Sequence, residues 1–483
     1  MTAGTAASPP SPPAAGNPPS PLLRGAVWLA LLAAAAGCVA GVVGNGQMGL
    51  EALMAVALGL LILAPIFVRL IRGEFDLFEP MVMVSAVYFL YFSAAPLIRF
   101  AMDDMVFVGR NFQDDYAEGL LTMFPCVLAL WAGYSLPVGP SARRGPGPAW
   151  SPARARTLAW ACAGCALLCM VLWARVAGRS VGIFFLPGLI GSASADSEGG
   201  TDVAYFFLAI EWFIPVLLIL MAMGGLRGRG RQLGMLLFIT IIYISIGFRY
   251  RIVVMWLAVG MLAYLRTGRR PSVLRMLPLG VAGLAFIGWL GQARLFFRSA
   301  GTIGKLGFDF RGTLLSAITD TRIFETFMAV QDVVPQFVDH AGIQPFVYPL
   351  VLPIPRFLWP GKPYPNWLLE IGGSIGTKEG LTLGAAVPHF GEYYMAFGWP
   401  GMLIGTFLFG MGVKVLWRWF KAAPDDPWRQ VIFALHNAFL FQVIIRGYLA
   451  QIVQEWAFYM VPVLVIMWLS RRAARGGKDV AVA

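Results

Sequence analysis

Apolar runs of about twenty residues follow one another along this chain, separated by short polar segments. An α-helix needs ~20 predominantly apolar residues to cross the hydrocarbon layer of a bilayer. The runs are continuous rather than alternating, which excludes a transmembrane barrel. The pattern predicts twelve spans, at about 25–44, 50–70, 78–99, 116–137, 155–177, 203–225, 232–248, 250–266, 274–296, 393–417, 428–446 and 449–470. Residues 1–22 are rich in Pro, Ala and Ser and are expected to form a disordered tail. The first apolar run has only Arg24 beside it and reads as an uncleaved first helix rather than a signal peptide.

One long segment, 297–392, breaks the rhythm. Residues 312–334 show helical periodicity and stop before Pro335. Next comes 345–365, with seven prolines in 21 residues and no charges except Arg356 and Lys362. Proline removes a backbone donor and clashes with the preceding helical turn, so this stretch is expected to be a rigid, non-helical strap. A short helix near 366–371 and a Gly/Thr-rich turn region, 372–384, complete the segment. Its aromatic residues Phe346, Tyr348, Trp359 and Trp367 suit a membrane interface, so the loop is expected to pack on the bundle.

Composition sharpens this picture. Of the 483 residues, 58% are hydrophobic and 13% charged, and the mean hydropathy is +0.70. These values exclude an ordinary soluble domain. The net charge of +12 does not point to nucleic acid, because most basic residues sit in short loops between apolar runs. Basic loops, such as those carrying Arg69/Arg72, Arg227/Arg229/Arg231 and Arg471/Arg472/Arg475, alternate with acidic ones carrying Asp103/Asp104/Asp114/Asp115 or Asp196/Glu198/Asp202. By the positive-inside rule this predicts cytoplasmic termini and an external position for 297–392. The expected organisation is therefore a tail (1–22), nine helices (23–296), the large loop (297–392), three helices (393–470) and a second tail (471–483). The five cysteines fall in apolar runs. Cys162, Cys165 and Cys169 share a helix face, and free cysteine there reads as a small packing residue rather than a metal or redox site.

Cations near the external side carry the candidate chemistry. Arg249 and Arg251 lie in a tight turn between two spans, Arg294 and Arg298 end the ninth span, and Arg446 marks the turn between the last two. With Arg356 and Lys362 they make seven cations on one predicted side, where positive-inside bias would not place them. Arginine grips phosphate oxygens bidentately and lysine adds a point charge, so a lipid-linked phosphate or pyrophosphate is one natural ligand. Snorkelling to headgroups or pairing with acids is the other reading. His389 and Glu392 sit where the loop enters the tenth span. Either group suits deprotonation of a hydroxyl nucleophile, and a structural Glu–Arg pair is the alternative for Glu392. Glu325, Glu455 and His436 are weaker candidates. No phosphate-binding glycine loop, nucleophile elbow or metal-ligand spacing is present, and no metal or cofactor is expected; a metal-dependent lipid-phosphate glycosyltransferase, using Asp103-Asp104 and Asp114-Asp115 on the predicted external side, is the alternative.

Ile-Pro-Arg-Phe-Leu-Trp-Pro-Gly-Lys-Pro (354–363), followed by Gly-Glu-Tyr-Tyr-Met-Ala-Phe-Gly-Trp-Pro-Gly (391–401), resembles the bacterial oligosaccharide repeat unit polymerases, the O-antigen polymerase (Wzy-type) family. The turn Gly-Phe-Arg-Tyr-Arg (247–251) and Arg446-Gly447 are similar to that family's motifs between consecutive helices, and the resemblance covers roughly 245–450. It implies an all-α, GT-C-like glycosyltransferase without a metal, in the bacterial inner membrane. Its substrates would be undecaprenyl-pyrophosphate-linked oligosaccharides, with a chain-length regulator protein as a candidate partner. The implied reaction joins repeat units into a surface polysaccharide (O-antigen, capsule or exopolysaccharide) on the periplasmic face. Arg249, Arg251, Arg356 and Arg446 would then bind pyrophosphate, Lys362 would assist, and Glu392 or His389 would orient or deprotonate the acceptor. An O-antigen ligase-like enzyme shares the donor, and a lipid-linked oligosaccharide flippase or exporter is the reading from another class. A transporter predicts two related halves, and no internal repeat is visible.

Overall fold

The computed structural model describes residues 49–139, 150–176, 178, 180–185, 204–226, 228–246, 249–267, parts of 278–290, 313, 322–354, 358–375 and 386–476. Helix α1 spans Gly49–Arg72, and α2 (Pro80–Phe89) runs through a π-helical turn, Leu90–Ala94, into α3 (Ala95–Met102). Strands β1 (Val106–Phe107) and β2 (Arg110–Asn111) form a two-stranded antiparallel hairpin. Next come α4 (Tyr116–Ser135), α5 (Pro152–Val176), α6 (Ala204–Leu208), α7 (Phe213–Ala222), α8 (Arg229–Ile246) and α9 (Arg249–Thr267). The loop contributes α10 (Ile323–Val333), α11 (Gln344–Val351) and α12 (Asn366–Ser374). The chain closes with α13 (His389–Lys421), α14 (Pro427–Ile445) and α15 (Leu449–Gly476).

Among the described residues, eight helical stretches are long and apolar enough to cross a membrane. They match the expected spans at 50–70, 78–99, 116–137, 155–177, 250–266, 393–417, 428–446 and 449–470. A shorter apolar helix, Phe206–Ala222, lies at the expected span 203–225, and α8 lies at 232–248. The expected span 274–296 is described only in part, and 25–44, with the tail before it, falls outside the described residues. The chain is an all-α protein of the multi-pass membrane type, the short hairpin excepted.

Two expectations need correction. The proline-rich strap is not wholly non-helical, because α11 occupies Gln344–Val351. Pro345 falls in its first turn, where a backbone donor has no intrahelical partner to lose, so only Pro349 removes a helical hydrogen bond. The tenth span begins at His389 rather than 393 and is not one helix, since Phe397 (φ −139°, ψ 18°) and Gly398 (φ 63°, ψ −150°) interrupt it. Glycine alone populates that second conformation freely. The carbonyls exposed by the break, those of Met395 and Ala396, accept from Ala341 N and Gly342 N at 2.9 Å each. The loop thereby plugs a broken helix, as irregular backbone at membrane depth requires.

Side-chain packing forms two apolar cores. One gathers α5, α7, α9, α14 and α15, and the other α1–α4, α10, α12 and the first part of α13. α4 and α13 cross closely where a Cβ on Gly133 would strike the Phe407 carbonyl and one on Gly410 the Leu130 carbonyl. Such small-residue contacts substitute for a hydrophobic driving force that lipid does not supply.

Candidate active site

The helices order the charged residues by end. At one end Arg69 pairs with Glu79, Lys421 Nζ lies 3.8 Å from Asp76 Oδ2, and Arg418 donates to the carbonyls of Pro137 and Val138. The opposite end carries the Arg446–Gly447 turn, the start of α9, the start of α13 and the loop helices.

At that second end, Tyr250 organises two of the expected cations. The Arg446 guanidinium carbon sits 4.8 Å from its ring centroid and that of Arg251 5.6 Å. A guanidinium over a tyrosine face gains ~0.5–2 kcal/mol, more as water is excluded. The Tyr250 hydroxyl donates to Glu455 Oε1 at 3.1 Å. Glu455 also accepts from Gln442 Nε2 and, at 2.8 Å, from Gln451 Nε2. Arg251 is buried and forms an ion pair with Glu211, itself fully buried. Its charge is therefore met within the bundle. Arg446 differs. It is half-buried, and among the described residues no carboxylate lies within ion-pair distance of it. Arg446 is the guanidinium of this pair left open to an outside anion.

Gly447 locks the turn onto α13. Its N–H donates to the Val387 carbonyl at 2.6 Å, and a Cβ there would lie 2.5 Å from the Pro388 carbonyl oxygen and 2.6 Å from His389 Cα. Only glycine permits that approach. Two residues further, Leu449 N donates to Glu392 Oε2 at 2.6 Å. Leu449 opens α15, so Glu392 caps the positive end of that helix rather than pairing with an arginine. Its other oxygen, Oε1, is buried and has no hydrogen-bond partner among the described residues. A carboxylate with one oxygen fixed and the other without a partner can accept a further hydrogen bond on that second oxygen.

His389 faces elsewhere. Its ring centroid lies 4.3 Å from that of Phe409 and 5.5 Å from those of Phe390 and Tyr393, and Nε2 shares a 2.6 Å hydrogen bond with the Tyr88 hydroxyl. This aromatic setting anchors the start of α13. Nδ1 is buried and has no hydrogen-bond partner among the described residues.

Lys362 is buried, and its ammonium donates to the carbonyls of Leu352 (2.7 Å) and Ile354 (3.0 Å) just past α11. A cation at a helix C-terminus complements the macrodipole, so this lysine clasps the strap to α11. The helix that follows the strap, α12, approaches the Arg446–Gly447 turn, where the Trp367 and Tyr448 ring centroids are 6.3 Å apart. Burial first, then Tyr348 and Glu392, push the Tyr448 phenol above its ordinary pKa, so it stays a neutral donor beside Arg446–Gly447. Arg294, Arg298 and Arg356 lie outside the described residues, as does the Arg249 side chain, although its backbone opens α9.

Sequence reasoning missed a second charged cluster at this end. Arg99, 2% exposed, pairs with Glu325 and lies 3.1 Å from Asp104. Arg322 holds both oxygens of Asp104 at 2.8 Å, and the Tyr116 hydroxyl donates to Glu325 at 2.7 Å. The signal was Arg99 inside the apolar run Pro-Leu-Ile-Arg-Phe (96–100), since a charge there needs a partner. The same signal marks Glu211, in Ala-Ile-Glu-Trp (209–212). The chain matches no family model, no curated protein and no solved structure.

Proposed function

We propose that this protein is a polymerase that joins undecaprenyl-pyrophosphate-linked oligosaccharide repeat units into a surface polysaccharide, as a metal-independent, GT-C-like glycosyltransferase of the bacterial inner membrane. The observation that carries this reading is the juxtaposition of Arg446, without a carboxylate partner among the described residues, and Glu392, with one oxygen free, across the Gly447–Val387 hydrogen bond. In this scheme the pyrophosphate of the donor rests on Arg446. The acceptor hydroxyl, hydrogen-bonded to Glu392 Oε1, attacks the anomeric carbon. The bond from that carbon to the pyrophosphate oxygen breaks, its electron pair leaves with the pyrophosphate, and the hydroxyl proton passes to Glu392. A guanidinium already in place stabilises the charge that grows on the leaving group more than the charge of the ground state, which is the source of rate acceleration. Tyr250, Arg251 and Glu455 position Arg446, and His389 anchors the helix that carries Glu392.

The basic loops gathered at the opposite end of the bundle support a cytoplasmic placement of that end and of the termini, with the site on the periplasmic face. The test is direct. Purified protein given lipid-linked repeat units as both donor and acceptor is expected to elongate them, and Arg446→Ala is expected to abolish elongation while remaining folded. Complementation of a polymerase-null but not a ligase-null strain separates polymer formation from ligation. Export of unpolymerised units with no elongation would overturn the enzyme reading.

A further inference from the structure

A groove opens between α13, α14 and α15, with a cavity volume of about 290 Å³. Its walls are helix faces at i, i+3, i+4, i+7 spacing, from Phe409 to Leu416 on α13 and from His436 to Val443 on α14. Val453 and Trp456 of α15, 36% and 39% exposed, leave it open toward the surroundings of the bundle. The two polar side chains in the wall consume each other. Trp456 Nε1 donates to His436 Nε2 at 2.9 Å, which puts the imidazole proton on Nδ1, 2.8 Å from the Ile432 carbonyl. The groove thus offers no unsatisfied polar group to an occupant, and its match is a hydrocarbon chain.

Two further features give that occupant a direction and a size. Val443, at one end of the α14 wall, precedes Arg446 by three residues, so the groove ends within about one helical turn of the Arg446 backbone, whose guanidinium has no carboxylate partner among the described residues. On the facing wall, Gly412 leaves room that a side chain would otherwise take. A Cβ there would meet nothing within 4 Å.

Resting on the reading of the site given above, we infer that this groove holds the isoprenoid chain of the lipid-linked substrate, with the phosphate end of that lipid on Arg446. The full-length protein in detergent is labelled with a polyprenyl phosphate carrying a photoreactive diazirine in its chain, and the modified peptides are mapped. Labelling is expected in 409–416, 436–443 or 452–456. Gly412→Phe fills the groove without a backbone clash and is expected to cut that labelling by about tenfold, the loss of roughly two buried methylenes' worth of contact. Val443→Trp narrows the opposite wall and is expected to do the same, which protects the test against misfolding of either variant. A diazirine-labelled phosphatidylglycerol is expected to label these peptides far less. Labelling elsewhere, unchanged labelling in both variants, or equal labelling by phosphatidylglycerol, which would make this an ordinary bilayer-lipid contact, overturns the inference. The two readings fail separately. If Arg446→Ala stops elongation while both groove variants label and elongate normally, the groove assignment falls and the enzyme survives. If groove labelling is present in the wild type and lost in the variants but the wild-type protein elongates nothing, the chain site stands and the enzyme reading falls.

Discussion

Two arginine clusters lie at the same end of the bundle and handle charge in opposite ways. Around Arg99 and Arg322, two guanidiniums face two carboxylates, those of Asp104 and Glu325, and a phenol completes the shell of Glu325. Around Tyr250, Arg251 is matched by Glu211, while Arg446 has an aromatic face and no acid partner among the described residues. The first cluster fastens the loop helix α10 to α3 and α4. A buried ion pair of this kind gains little net stability over an apolar substitute, yet breaking it by removing one partner is severe. The second cluster keeps a positive charge where an anion can reach it. Charge at a membrane end therefore signals function only after the partners have been counted.

The largest effect is expected in the closed cluster. Arg99→Met leaves Glu325 buried without its cation, and a loss of ~3–5 kcal/mol of stability is expected. The measurement is the thermal unfolding midpoint in detergent. Adding Glu325→Leu to the same chain should recover most of that loss, since both charges are then gone. If Arg99→Met alone unfolds at the wild-type temperature, the contrast between a structural and a functional cluster fails.

Next in size is the open cluster. Arg446→Ala should lower the elongation rate at least ~100-fold, a loss of about 2.7 kcal/mol of transition-state stabilisation, with the unfolding midpoint nearly unchanged. Arg446→Lys should fall between, because an ammonium keeps the charge and loses the planar two-point grip. Single-turnover rates with saturating lipid-linked donor give the comparison. An Arg446→Ala protein that unfolds early but elongates normally would reverse the roles of the two clusters.

Glu392→Gln comes third. The amide oxygen can still accept from Leu449 N, so α15 keeps its cap while the base is lost. A fall of ~10–100-fold in rate, within the range of general-base contributions, is expected with little change in stability. Glu392→Ala removes the cap as well and should add a stability loss of ~1–2 kcal/mol. Equal rates in Glu392→Gln and wild type would leave Glu392 a helix cap and nothing more.

The spans were legible because hydropathy over twenty residues is a strong, local signal, and the helices from Gly49–Arg72 to Leu449–Arg471 lie where the apolar runs put them. The Gly398 break was not, because Phe-Gly-Trp-Pro (397–400) interrupts an apolar run without lowering its hydropathy, and the donors that stabilise the break come from Ala341 and Gly342. α11 was hidden by its prolines, whose positions within the helical turns matter more than their number. Within the candidate site, Arg446 and Glu392 showed in the sequence as charges beside spans, but the bonds that join their segments, Gly447 N to Val387 and Leu449 N to Glu392, are tertiary. The occupation of Lys362 by carbonyls and of Arg251 by Glu211 is also tertiary, and no local pattern announces which cation will be spent internally.

The smallest and sharpest probe separates the two jobs of Tyr250. Its ring lies under Arg446 and its hydroxyl donates to Glu455. Tyr250→Phe keeps the ring and removes one hydrogen bond, which should lower stability by ~1 kcal/mol and leave the elongation rate within a few-fold of wild type. Tyr250→Leu removes the aromatic face as well, releasing the guanidinium from a contact of ~0.5–2 kcal/mol, and should reduce the rate further without a matching change in stability. The readout is the ratio of the two variants' rates set against the difference in their unfolding midpoints. If Phe and Leu are equally slow, the hydroxyl and Glu455 set the position of Arg446. If only Leu is slow, the ring does, and the open cluster is built on a cation–π platform where the closed one is built on ion pairs.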